Sequence, residues 1–124
     1  MIDLSEFVEC DDCHCAEARR EAVRLARLYD GLLRPHGLTS NQFTLLVTLM
    51  RAGPMLIGRL AERLAIDRST MTRNIAVGTG RGLIAVTPGK DGRERQVTIT
   101  PAGRRAAEAA LPAWRAAQAE ASRS

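Results

Sequence analysis

The chain has 124 residues, 45% of them hydrophobic and 26% charged, which suits one packed core and is too apolar for a disordered chain. Aromatic residues make up only 3% (Phe7, Tyr29, Phe43 and Trp114), which argues against a base-stacking RNA module and against a large aromatic-lined pocket. No apolar run approaches the ~18 residues of a membrane span and no export signal opens the chain, so a cytoplasmic protein is expected.

Charge is unevenly spread. There are 18 basic and 14 acidic residues, and every base except Lys90 is arginine. The first 12 residues hold five acids (Asp3, Glu6, Glu9, Asp11 and Asp12) and no base, so the rest of the chain carries nine excess positive charges. An arginine-rich body of this kind suits a polyanionic partner.

Residues 1–15 read as a short acidic arm that includes the three cysteines, and residues 16–124 as a single domain. From Ala16 to Arg34 the apolar residues Ala22, Leu25, Ala26, Tyr29, Leu32 and Leu33 recur at helical spacing, and Pro35 and Gly37 end the run. Thr39 and Gln42 have the spacing of a capping box. They open a helix through Met50 that is apolar on most sides, which places it in the core. Ala52-Gly-Pro54 breaks the chain, and a short helix follows from Ile57 to Leu64. Asp67 then caps a third helix from Arg68 to about Val77. Two short helices joined by about three residues read as a helix-turn-helix.

Beyond Gly82 the period becomes alternating, with Ile84 and Val86 sharing one face and Val97 and Ile99 another. The stretch Pro88-Gly-Lys-Asp-Gly-Arg93 between them is turn chemistry. A β-hairpin over about residues 83–100, directly after a helix-turn-helix, has the layout of a wing. Thr100 and Pro101 open a final Ala-rich helix as cap and first residue, and Pro112 is expected to kink or break it. The fold class is therefore mainly α with a small β-hairpin (α+β), a winged helix-turn-helix.

The helix beginning at Arg68 offers Ser69, Thr70, Thr72, Arg73 and Asn74 to base edges and phosphates, with Met71 and Ile75 turned inward. An ordinary solvated helix would not need poor helix formers gathered there. At the hairpin, Lys90, Arg93 and Arg95 suit a minor groove or its phosphates, with Asp91 placed to orient Arg93. Double-stranded DNA is the expected partner.

Several segments together resemble the MarR family of winged-helix transcriptional regulators: Leu60-Ala-Glu-Arg-Leu64, Asp67-Arg-Ser-Thr-Met-Thr-Arg-Asn74, Arg81-Gly-Leu-Ile84, Asp91-Gly-Arg93 and Ile99-Thr-Pro-Ala-Gly103. Gly37-Leu-Thr-Ser-Asn-Gln-Phe43 matches the stretch before the family's second helix, and the resemblance covers about residues 16–115. It implies a homodimer on a pseudo-palindromic operator, dimerised through the first and C-terminal helices and adjusted by a small ligand, metal or oxidant. Two features depart from it. Gly78-Thr-Gly80 stands where the family continues its recognition helix with a Leu and charged residues, which predicts an early or mobile helix end and a missing core side chain. Relatives carry more helix after the position of Ser124, so the dimer is expected to lean on residues 1–34 and 101–120.

Cys10, Cys13 and Cys15 fall within six residues beside His14, and no other cysteine occurs. An odd cluster this tight cannot be a disulfide framework. Three thiolates and an imidazole suit Zn²⁺ or another thiophilic ion; the same thiols suit oxidant or electrophile sensing, or a purely structural role. An iron–sulfur cluster shared across a dimer would need a spacing unlike a ferredoxin run. Cys-x-x-Cys-His also matches the haem-attachment pattern, but without an export signal haem is not expected.

His36, after Pro35, reads as a cap or surface group, Trp114 as an anchor in the dimer core, and Met50, Met55 and Met71 as packing residues. No phosphate loop or Ser-His-Asp set appears, so an enzyme is not expected. Two other readings remain open: a thiol-based metal-binding or redox protein in which DNA binding is incidental, and an interaction protein that dimerises with another regulator.

Overall fold

The computed structural model describes residues 2–92 and 94–123. A 3-10 helix over Leu4–Asp12 leads into α1 (His14–Leu33), and a single 3-10 turn (Arg34–His36) joins it to α2 (Ser40–Ala52). A two-residue strand β1 (Met55–Leu56) precedes α3 (Ile57–Arg63) and α4 (Arg68–Gly80). The hairpin strands β2 (Ile84–Pro88) and β3 (Arg95–Ile99) follow, and α5 (Pro101–Arg123) closes the chain. The helix expected from Ala16 begins two residues earlier, because the Cys13 sulfur accepts from the Ala16 amide as its N-cap.

The capping box at α2 is formed in full: Thr39 accepts from the Gln42 amide, and the Gln42 side chain accepts from the Thr39 amide. α2 then runs through the centre of the molecule and buries Phe43, Leu45, Leu46, Thr48 and Leu49. Around it gather Leu33 from α1, Leu60 from α3, Met71 and Ile75 from α4, and Val97 from β3. Met71 is fully buried, and Met50 and Met55 pack at the edge of this core. Trp114 is half-buried and stacks on Phe43 of its own chain, with ring centroids 6.3 Å apart. α1 and α5 lie together, tied by the Tyr29 hydroxyl donating to Oε1 of the Gln118 side chain. His36 is exposed at the helix end.

The sheet has three antiparallel strands in the order β1-β3-β2. Val86 faces Val97, and Ile84 faces Ile99, as the alternation requires. β1, which pairs Met55 with Val97, was not expected. Two residues are too few to show a period-2 pattern, and only β3 gives them a partner.

α4 also differs from expectation. It continues through Gly78 and Gly80 and ends at the cap residue Arg81. Gly78 is buried, and a Cβ there would lie 3.0 Å from both Cγ1 and Cδ1 of Ile84. The side chain missing from the helix is thus replaced by one arriving from β2. The left-handed residue that stops α4 is Gly82, at φ +73°. Its amide donates to the Thr79 carbonyl and that of Leu83 to Gly78, the paired bonds of a Schellman motif.

α5 runs unbroken past Pro112. Pro112 and Glu108 are both exposed, so the carbonyl that loses its helical donor faces water, and the helix persists. At its start, Thr100 Oγ1 accepts from the Gly103 amide and donates to the Gly82 carbonyl. Gly103 lies so close to the residue before β2 that a Cβ would be 2.1 Å from the Leu83 carbonyl oxygen. The Thr-Pro-Ala-Gly segment is therefore a joint between wing and helix.

Candidate nucleic-acid interface

α3 ends in a second Schellman motif: the Ala65 amide donates to the Glu62 carbonyl, and that of Ile66 to Ala61. The left-handed position is Ala65, at φ +54°, where glycine is the usual occupant. The turn delivers Asp67 to the start of α4 as N-cap.

Asp67 organises the first turn of α4. Its carboxylate accepts from the Thr70 amide at 3.1 Å, from the Ser69 hydroxyl at 2.5 Å and from the Thr70 hydroxyl at 2.6 Å. These bonds, the Ser69 hydroxyl foremost, push its pKa down to about 2. Arg73 Nη2 in turn donates to Thr70 Oγ1 at 3.2 Å. The Thr72 hydroxyl donates back to the Arg68 carbonyl at 2.9 Å. Arg68, Ser69, Thr72 and Arg73 are exposed, Thr70 and Asn74 half-buried, while Met71 and Ile75 are buried beneath them. The hydroxyl protons of Ser69, Thr70 and Thr72 are committed within the helix, so these oxygens face solvent chiefly as acceptors.

α4 and the wing each contribute cations to one face. A groove of about 580 Å³ joins them, lined by Arg68 of α4, Arg95 of β3 and Arg59 of α3, with Glu62 and Glu94 on its walls. Arg59 was missed. Its signal was its place on the exposed face of the first helix of the helix-turn-helix, where backbone-contacting residues sit. Lys90 is exposed in the hairpin turn; Arg93 lies outside the described residues.

The cysteines lie in the N-terminal segment. Cys10, Cys13 and Cys15 are free and exposed. Cys13 caps α1, His14 begins it, and Cys15 Sγ accepts from Arg19 Nη2 at 3.8 Å. Among the described residues, no three His, Cys, Asp or Glu side chains are gathered to hold a metal ion. Nor, among the described residues, is any helix long and apolar enough to cross a membrane.

The fold and this cationic face define a winged helix-turn-helix protein. A family model described as the MarR family matches residues 36–94. The chain is 30% identical over 84 residues to YwoH, an uncharacterized HTH-type transcriptional regulator of Bacillus subtilis; the match covers 68% of this chain and 61% of YwoH, less than two thirds of that relative. It is similar to the M. tuberculosis transcriptional regulator MosR, solved in complex with DNA: TM-score 0.83, 39% identity, 91% of this chain and 83% of MosR covered. It is also similar to BpsR of Bordetella bronchiseptica, whose DNA binding is regulated by 6-hydroxynicotinic acid: TM-score 0.79, 25% identity, 89% and 79% covered. The chain belongs to the MarR family, whose members are transcriptional regulators and not enzymes.

Proposed function

We propose that the protein is a homodimeric, sequence-specific DNA-binding repressor of the cytoplasm, and that its operator affinity answers to chemistry at Cys10, Cys13 and Cys15. The observation that carries this is the groove in which Arg68 of the recognition helix and Arg95 of the wing come together. The likeness to MosR, a protein seen on DNA, supports it. Ser69, Thr70, Thr72, Arg73 and Asn74 read base edges of a pseudo-palindromic operator. Arg68, Lys90, Arg93 and Arg95 hold phosphates. Because the Ser69 proton is held by Asp67, its oxygen suits an exocyclic amino group, the adenine N6 or cytosine N4 donor in the major groove.

The signal enters through the exposed thiols. A thiophilic ion such as Zn²⁺ would be held by thiolates, with His14 as a further donor, once the arm rearranges to bring them together. A hydroperoxide would act on two of the thiols: it takes two electrons and is reduced to water and an alcohol, while the sulfurs lose their protons and join as a disulfide. Small-ligand control is the other candidate, supported by the likeness to BpsR.

The test is duplex selection from a random pool, followed by gel shifts of reduced, zinc-loaded and peroxide-treated protein, with elemental analysis of each. Selection of an inverted repeat, with affinity altered by at least one treatment and unaltered in a triple Cys→Ser variant, supports the proposal. Failure to retain any duplex at low salt overturns it and favours a thiol-based metal or redox protein.

A further inference from the structure

The N-terminal 3-10 helix is patterned but unpartnered. A 3-10 helix has about three residues per turn, so residues three apart eclipse one another. Leu4, Phe7 and Cys10 therefore form one ridge, and Glu6, Glu9 and Asp12 form the next, continued by the cap residue Asp3. None of these residues is buried: Leu4 is 77% and Phe7 54% exposed. An apolar ridge beside an acidic ridge is a binding surface with nothing on it.

Its complement lies on α1. Arg19, Arg20, Val23, Arg24 and Arg27 line an open groove of about 480 Å³, on the side of the helix away from Tyr29 and Leu33. Val23 forms its floor and is 45% exposed. Arg24 is held by Glu21 and Arg19 by the Cys15 sulfur. Among the described residues no ion pair engages Arg20 or Arg27. Nine residues of 3-10 helix span about 18 Å, long enough to cover the α1 stripe from Arg19 to Arg27, which spans about 12 Å.

We propose that the acidic arm of each protomer docks in trans on the α1 groove of a second copy, with Leu4 and Phe7 over Val23 and with Glu6 and Glu9 against Arg20 and Arg27. The occupant is a second copy because charge and apolar pattern match, and because no residue of the arm is buried against its own chain. Cys10 completes the docked apolar ridge, so a change at its sulfur acts directly on the contact. This rests on the reading of the protein as a dimer and names a further surface that holds it.

The test is a charge swap in the full chain. One variant carries Glu6→Lys and Glu9→Lys, a second carries Arg20→Glu and Arg27→Glu, and a third carries all four. Each of the first two should raise the dimer Kd about tenfold. When they are mixed, both arm contacts are restored only between unlike chains, so native mass spectrometry of size-tagged proteins should show heterodimer well above the statistical half. Statistical mixing with tight dimers restored in the four-fold variant means that the arm docks on its own chain, and overturns the proposal. So does an unchanged Kd for either two-fold variant. Gel shifts on the same proteins separate the two readings: operator binding with statistical mixing defeats only the docked arm, whereas no duplex binding by wild type defeats the proposed function.

Discussion

Ile84 occupies the space that a side chain at position 78 would need: a Cβ on Gly78 would meet Cγ1 and Cδ1 of Ile84 at 3.0 Å. The recognition helix is thereby packed onto the wing through a missing atom group. A side chain at 78 therefore requires the Ile84 side chain to give way by a few tenths of an ångström.

The two glycines of α4 should therefore respond in opposite directions to alanine. Gly80 is exposed with nothing within 4 Å, so Gly80→Ala should stabilise by about 0.5–1 kcal/mol through helix propensity. Gly78→Ala gains the same propensity but overpacks a buried contact, and should destabilise by about 1 kcal/mol net. Urea unfolding of both variants checks the pair. Equal stabilisation would mean that Ile84 yields freely.

Ala65 sits at φ +54° in the turn between α3 and α4, where a Cβ costs about 1 kcal/mol. Ala65→Gly should recover about that amount and raise the melting temperature by about 4 °C. A lower melting temperature would show that unfolded-chain entropy outweighs the strain.

Asp67 ties stability to acid. Its pKa is depressed to about 2 by the Ser69 and Thr70 bonds, below the ~3.9 of an unfolded chain. The unfolded state then binds the proton more readily, so the cap's contribution is full above about pH 4 and is lost as pH falls towards 2. Asp67→Asn keeps a capping oxygen without the titration, and should flatten the acid limb of a melting-temperature profile between pH 4 and 2. A profile unchanged from wild type would place the acid sensitivity elsewhere.

The cations divide by their effect on salt dependence. Arg95→Ala should weaken binding to all duplexes alike and lower the slope of log K against log salt by about 1. Arg73→Ala, at a position tied to Thr70, should cost about 1–3 kcal/mol on the selected operator and much less on random duplex. Fluorescence anisotropy at several salt concentrations checks both. Uniform loss for Arg73→Ala would make it a phosphate contact.

The sequence could be read wherever the cause is local. The Thr39/Gln42 capping box, the Asp67 cap, the start of α5 at Thr100 and Pro101, and the alternation of Ile84, Val86, Val97 and Ile99 each involve neighbours a few residues apart. Their hydrogen bonds or side-chain faces follow directly from spacing. The same holds for the inward Met71 and Ile75 beneath the exposed Ser69, Thr72 and Arg73, since helical period alone separates those faces.

Tertiary structure decided the rest, because the deciding partner is distant along the chain. β1 exists only as a mate for β3, α4 extends because Ile84 arrives over Gly78, and Trp114 finds Phe43 in its own protomer. Arg59 joins the cationic groove because chain folding carries Arg95 to it. Local residues set which conformations are cheap; packing chose among them by filling space and pairing backbone across the chain.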